Sequence, residues 1–344
     1  MVHINERRVT QKDIAQAAGL SIAAVSMALK GNQALPESTI NRVRKIAEEL
    51  GYVPDPALSA LAAHRSFTRQ RTSFSVLALV THGDHSCDWE KRESSKSLIH
   101  WTSERAKQLG YRLEHFSTYS ENLSPSRLSQ ILCARGIRGL ILSPASQLPE
   151  DCGIDWEKFS IVSIEQEKPE LGIHCVASDQ YGDMKTCWEK LRAKGIQKIG
   201  LALDSTCPSE GNEQWQAAHL YSLSHHGIEA KDIVPTLNIG ADDEPEKLAQ
   251  WISENKPEAI ISNKAGLPEQ LKELGVSIPQ DMAFVSLNAE DESDSISGIQ
   301  RSSEIIGSVA VDTLNSLIQQ NRFGTRQAAI STKVRSKWHD GESI

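Results

Sequence analysis

The chain has 344 residues, 39% hydrophobic and 24% charged, with a formal net charge of −8. That is more chain than one compact core holds, so two or three globular domains are expected. No apolar run reaches the roughly 18 residues of a bilayer span, and the polar start MVHINERRVTQKD lacks a secretory apolar stretch, so a cytoplasmic, non-membrane protein is expected.

The charge is unevenly spread. Residues 1–72 carry ten Lys or Arg against six Asp or Glu, a surplus of four positive charges that leaves −12 on the remainder. A basic head on an acidic body points to a polyanion partner. Within that head, Thr10 caps a first helix and Asp13 completes a capping-box pair. Ile14, Ala17 and Ala18 form its apolar face, and Gly19 ends it in a left-handed turn. Ser21 caps a second helix with Ala24, Val25 and Leu29 inward. A link this short forces a steep crossing, which is helix-turn-helix geometry, with the second helix in the DNA major groove. A third helix follows in LPESTINRVRKIAEELGY, with Ile40, Val43, Ile46, Ala47 and Leu50 at helical spacing and Gly51 as its stop.

The stretch from Val9 to about Leu61 resembles the head of the LacI/GalR (lactose-repressor/galactose-repressor) family of transcriptional regulators. The family pattern is V-T-x-x-D-I-A-x-x-A-G-V-S, then x-x-T-V-S-R-x-L-N, then a helix ending E-L-G-Y-x-P-N. Two positions depart from it: Met27 stands where the family has Arg, and Ala24 where it has Thr. Met cannot hydrogen-bond a guanine edge as Arg does, so base contacts fall to Ser21, Ile22, Ala23 and Ser26, with Lys30 near the groove. Ile22, Ala23 or Met27 suits a thymine methyl. Thr10, Gln11, Thr39, Asn41 and Arg42 are candidates for the DNA face, the last four for phosphate contacts that set register.

Residues 55–73 read as a hinge. Asp55 and Pro56 open a short Ala-rich helix, too short to be stable alone. The resemblance implies that it folds on operator DNA and that a Leu wedges into the minor groove, with Leu58 and Leu61 as the two candidates. The expected division is a DNA-binding domain over 1–54, hinge and linker over 55–73, and an effector-binding and dimerisation body over 74–344.

In the body, buried-strand runs alternate with amphipathic helices: FSVLALV, helix 97–110, RLEHF, SPSRLSQILCARG, IRGLILSP, FSIVSIE and HCVASDQ. The rhythm restarts with helix 181–194, KIGLAL, helix 212–225, IVPTLNI, helix 244–254, EAIISN, helix 267–274 and AFVSLN. Two α/β lobes with largely parallel sheets are expected. A long helix over 302–320 returns to the first lobe. VASDQ, KLRAKGIQKIGLAL and ELGVSIPQDMAFVSLN resemble the family's type I periplasmic-binding-protein-like body.

Such folds bind small ligands at strand ends between the lobes. The candidates are Asp84 and Trp89 after the first strand, Asp179 at the first crossover, Asn263 and Asn288 at second-lobe strand ends, and Arg301 at the return crossover. Trp215 stands where the family has a sugar-gripping Arg. A saccharide effector suits these groups, although Lys264 and Asn288 in place of acids leave room for a more anionic one. No cofactor or metal is expected: six scattered cysteines read as free thiols, and the eleven His show no ligand spacing. Nucleophile-elbow, P-loop, dinucleotide and zincin motifs are missing, which argues against an enzyme. The reading is a homodimeric repressor whose operator affinity a small molecule controls. A cytoplasmic solute-binding protein and an effector-independent DNA-binding regulator remain alternatives.

Overall fold

The structure is a computed structural model. It describes residues 9–29, 35–52, 75–82, 91–118, 123–144, 148, 152–205, 210–240, 245–325 and 328–344. The expected hinge over 55–73 lies outside these residues.

The head is three helices: α1 (Gln11–Ala18), α2 (Ile22–Leu29) and α3 (Glu37–Glu49). The local signals act as expected. The Thr10 backbone N–H and hydroxyl both donate to Asp13 Oδ2, at 2.8 and 2.7 Å. Gly19 takes φ 62°, and the Ala24 N–H donates to Ser21 Oγ at 3.2 Å. The core consists of Ile14, Ala15, Ala18, Val25, Ala28, Ile40, Val43 and Ala47. Three details differ from the sequence reading. Ala15 is buried in place of Ala17, Ala28 is buried while Ala24 and Leu29 are partly exposed, and Leu50 is exposed. The reason is that α1 packs on both α2 and α3, so its buried stripe is centred between two neighbours. The small side chains of α1 and α2 let the axes approach closely, within the tight packing that protein interiors require.

The body has two six-stranded sheets. The first lobe holds β1 (Ser75–Thr81), β2 (Tyr111–Ser117), β3 (Gly139–Leu142), β4 (Ser160–Ile164), β5 (His174–Ser178) and β11 (Ser331–Val334), ordered β11-β5-β4-β3-β1-β2 and all parallel. The second holds β6 (Ile199–Asp204), β7 (Leu237–Ile239), β8 (Ala259–Ser262), β9 (Ala283–Ser286), β10 (Gly298–Gln300) and β12 (Lys337–His339), ordered β12-β10-β9-β8-β6-β7. Only its edge pair β10–β12 is antiparallel. The two lobes thus repeat one topology, with chain order reversing at β1/β3 and again at β6/β8.

Helices cover both faces of each sheet. In the first lobe, α4 (Glu93–Gln108) and α10 (Ser303–Gln319) share one core, and α5 (Pro125–Ala134) packs on the other face. In the second lobe, α6 (Gln180–Ala193) and α7 (Glu210–His225) lie on one face, with α8 (Pro245–Asn255) and α9 (Leu267–Glu273) on the other. The long C-terminal helix returns to the first lobe, as its sequence suggested. The IVPTLNI strand shortens to Leu237–Ile239: Pro235 has no N–H for a ladder, and its carbonyl instead accepts from Trp251 Nε1 at 2.8 Å. Strands β10 and β11 were not read from sequence, being short and partly polar. From β11 to β12 runs a third chain crossing between the lobes, at residues 335–336.

Gly298 pairs with Ser286 across β9–β10, and a Cβ there would overlap the Ser286 carbonyl. Gly298→Ala should therefore destabilise the folded chain by about 1–3 kcal/mol, read as a lower urea midpoint.

Candidate functional site

Two sites are built by the fold. The first is the outward face of α2. Ile22 is 51% exposed and Ala23 is also exposed, while Ser26 and Met27 are partly exposed. Ser21 lies at the helix start with its hydroxyl oxygen already serving as cap. Thr10 and Asn41 are exposed, Thr39 is half-buried, and two other candidates make contacts inside the head. Arg42 donates to the Ala18 carbonyl at 3.1 Å, and Gln11 Nε2 donates to the Tyr52 hydroxyl at 3.3 Å. Lys30, Leu58 and Leu61 lie outside the described residues.

The second site lies where the chain order reverses in each sheet. Parallel sheets leave a crevice at the strand carboxyl ends there. In the second lobe, Asn263 follows β8 and is 9% exposed. Its Oδ1 accepts from the Asp204 backbone N–H at 2.7 Å, and its Nδ2 donates to Asn212 Oδ1 at 2.9 Å. Asn288 follows β9, donates to the Asn263 carbonyl at 3.3 Å and accepts from Arg301 Nη2 at 2.6 Å. One hydrogen-bonded chain thus joins Arg301, Asn288, Asn263 and Asp204. In the first lobe, Thr81 and Ser143 meet at 3.3 Å at the ends of β1 and β3, and His115 Nε2 reaches Thr81 Oγ1 at 2.6 Å. Beside them His82 contacts Thr118 Oγ1 at 2.7 Å, and burial lowers its pKa. Asp84 and Trp89 lie outside the described residues.

The lobes touch across this crevice. Arg92 reaches Asp204 at 3.5 Å, and the Ser94 N–H and hydroxyl donate to the two oxygens of Asp291 at 2.8 and 2.7 Å. The crossings lie side by side: Asp179 N–H donates to the Val334 carbonyl at 2.9 Å, Ser302 Oγ to the Arg335 carbonyl at 2.8 Å, and Ser336 Oγ to Asp183 at 2.9 Å. Asp179 itself caps α6, accepting from the Gly182 N–H at 3.1 Å. Trp215 is buried in the second-lobe core, 4% exposed, with its indole N–H unpaired.

Several site residues were not found from sequence. Glu165 follows β4 and accepts from the Ser178 N–H and hydroxyl and from Gln180 Nε2, at 3.2, 2.6 and 3.1 Å. Glu290 accepts from the Arg301 backbone N–H at 2.9 Å, and its other oxygen is buried without a partner. Burial pushes both Asp183 and Glu290 up to about 7; Arg301 opposes that rise, and neighbouring carboxylates reinforce it. A signal existed for Glu165, which directly follows an apolar strand run, whereas Glu290 lies four residues past β9. Asp183 and Asn212 lie within helices, and nothing in their local pattern sets them apart. Among the described residues, no group of three or more His, Cys, Asp or Glu could hold a metal.

The regulatory-protein description "Bacterial regulatory proteins, lacI family" matches residues 10–55, over the three-helix head, and "Periplasmic binding protein-like domain" matches residues 188–337. This chain is 23% identical over 339 residues to the HTH-type transcriptional regulator PtxS of Pseudomonas plecoglossicida, covering 95% of this chain and 94% of that protein. It is 22% identical to the HTH-type transcriptional regulator GalR of Streptococcus thermophilus, covering 94% of this chain and 97% of that one. The chain belongs to the LacI/GalR family. It is a helix-turn-helix transcriptional regulator with a periplasmic-binding-protein-like body. The LacI-family architecture is also that of solved structures. A CelR–cellobiose complex superposes with a TM-score of 0.64 at 16% identity, over 98% of this chain and 100% of that one. A lac repressor dimer bound to operator and an anti-inducer gives 0.59 at 17% identity, over 98% and 99%. No helix among the described residues is long and apolar enough to cross a membrane.

The raised pKa of Asp183 and Glu290 has a consequence for this LacI-family body. Their folded-state values lie above the ordinary 3.8 and 4.5, so the folded chain binds more protons than the unfolded chain up to about pH 7. Stability contributed by the two groups is present at low pH and falls as pH rises through that window. Asp183→Asn should flatten this dependence and raise the denaturation midpoint at about pH 8 relative to about pH 5, measured by urea unfolding.

Proposed function

We propose that this LacI-family chain is a homodimeric repressor that binds a near-palindromic operator through α2, and that a small polyhydroxyl effector held between the lobes controls its affinity. One helix-turn-helix reads one half-site, and two-fold symmetry in the operator mirrors a dimer. The observation that carries the effector reading is the run of polar groups from Arg301 through Asn288 and Asn263 to Asp204, which Arg92 reaches from the first lobe. Carboxylates accept from hydroxyls, amides both donate and accept, and the guanidinium donates, which together match a polyol. Glu165, Asp179, Asp183 and Glu290 around Arg301 favour a neutral ligand over the more anionic one that Lys264 and Asn288 left open. Solved relatives in fold, one with cellobiose and one with operator and anti-inducer, support the same reading.

The effector acts by favouring one arrangement of the lobes, which shifts the population of DNA-competent dimers. Asp179, Asn263, Asn288 and Arg301 are the proposed effector residues, with Trp215 shaping the core behind them. Thr10, Gln11, Ser21, Ile22, Ala23, Ser26, Met27, Thr39, Asn41 and Arg42 form the proposed DNA face. The proposed regulator requires no catalysis and works from the cytoplasm.

The test is selection of duplexes from a random pool by the full chain. A near-palindromic site should emerge, and its affinity should fall by roughly 10³-fold between about 50 and 200 mM salt. A panel of mono- and disaccharides is then screened for release of that site. Asn263→Ala and Arg301→Ala should abolish the response and leave operator affinity within about twofold, since neither touches the head. Operator binding that no effector or cleft variant changes would support the effector-independent alternative. Saccharide binding with no enriched duplex would support a solute-binding protein.

A further inference from the structure

We propose that α2 reads its operator through thymine methyl groups, not through hydrogen bonds to guanine or adenine. The inference rests on the operator-binding reading above and deepens it. Residues 21–29, SIAAVSMAL, contain no Arg, Lys, Asn, Gln, Asp or Glu. The fold then divides these nine residues. Val25 and Ala28 are consumed by the three-helix core. The Ser21 hydroxyl oxygen is consumed as the helix cap, accepting from the Ala24 N–H. Leu29 packs partly against the same core and Ala24 is partly exposed, which leaves outward Ile22, more than half exposed, and Ala23, followed one turn later by the partly exposed Ser26 and Met27. Ile22 with Ser26, and Ala23 with Met27, are spaced four apart and share a face.

Covering Ile22, Ala23 and Met27 together with an apolar group of a partner is favourable. Charge complementarity indicates the occupant. The head exposes the cations Lys12, Arg42, Arg44 and Lys45, and residues 1–72 as a whole carry a surplus of four positive charges. A polyanion suits the cations, and the major groove of duplex DNA offers one apolar group, the thymine C5 methyl. The N-terminal residues of a recognition helix are those that reach base edges, which places Ile22 and Ala23 there. Phosphate contacts hold the helix in register and carry no sequence information. Specificity then comes from matching Ile22 and Met27 to methyl groups, with the hydroxyls of Ser21 and Ser26 as the polar groups on the face.

The experiment uses the full chain and the duplex site enriched in the selection above. Each thymine of one half-site is replaced in turn by deoxyuridine, which removes only the methyl. At one or more positions affinity should fall roughly fourfold per methyl. The same replacement should have no effect on the Ile22→Ala or Met27→Ala variant that lacks the matching side chain. Where a C·G pair is substituted at such a position, 5-methylcytosine should bind better than cytosine, because it returns the methyl. Ile22→Val, which keeps an apolar side chain, serves as the second variant, and unchanged thermal midpoints show that the head remains folded.

Uracil replacements that are all neutral would overturn the inference. So would 7-deazaguanine causing the larger loss, which would assign readout to hydrogen bonds from Ser26 or Lys30. In either case a site has still been selected, so operator binding stands and only its chemistry changes. If no duplex is enriched, operator binding and methyl readout fail together, and the α2 face is left as a surface for a protein partner.

Discussion

The chain passes between the two lobes three times, at 178–180, 301–302 and 335–336, and this constraint organises the rest of the body. Hydrogen bonds tie the three passages to one another: Asp179 to Val334, Ser302 to Arg335, and Ser336 to Asp183. Three adjacent passages tie the lobes more closely than a single linker would, and in the proposed regulator the motion they allow is a hinge. Glu165 reinforces the first passage. It sits in the left-handed region at φ 64°, unusual for a residue with a side chain, and its carboxylate gathers three donors from Ser178 and Gln180. A strained backbone position persists where the surrounding contacts over-determine it. The strain therefore lies beside the crevice that the hinge would open and close.

Because both lobes repeat one strand order, the hinge brings two reversal points opposite each other. Each contributes polar groups at strand carboxyl ends, and the Arg92–Asp204 and Ser94–Asp291 contacts join the lobes across them. Such partly exposed contacts contribute little free energy singly. Their use in the proposed regulator is differential: they exist in this arrangement of the lobes and would be lost on opening. A ligand can shift that equilibrium only by binding one arrangement better than the other. The buried carboxylates Asp183 and Glu290 belong to the same hinge region, so its stability is linked to proton binding.

The head follows a different economy. Eight buried residues, half of them alanines, hold three helices together. Small side chains permit the steep crossing of α1 and α2, at the expense of core volume. The same preference for apolar residues extends to the outside of α2, where the core cannot account for it. Burial separates the inward apolar residues, explained by packing, from Ile22, Ala23 and Met27, which are left for the proposed operator contact.

Local signals determined the elements themselves. The Thr10–Asp13 box, the Gly19 turn and the Ser21 cap were legible because each depends on residues within four positions. The strand–helix alternation was legible because a buried strand or amphipathic helix carries its period in its own residues. Asn263, Asn288 and Arg301 were legible as candidates because they end strands or open crossings. Tertiary structure alone decided that these three form one hydrogen-bonded chain, that Ala15 and not Ala17 faces the head core, and that β11 and β12 supply a third crossing. It also decided that Asp183, Asn212 and Glu290 belong to the same region, and that Trp215 packs in the second-lobe core. Those facts depend on which segments meet, from 13 residues apart for Asn288 and Arg301 to 153 for Asp183 and Ser336, and no local period or cap encodes such a meeting.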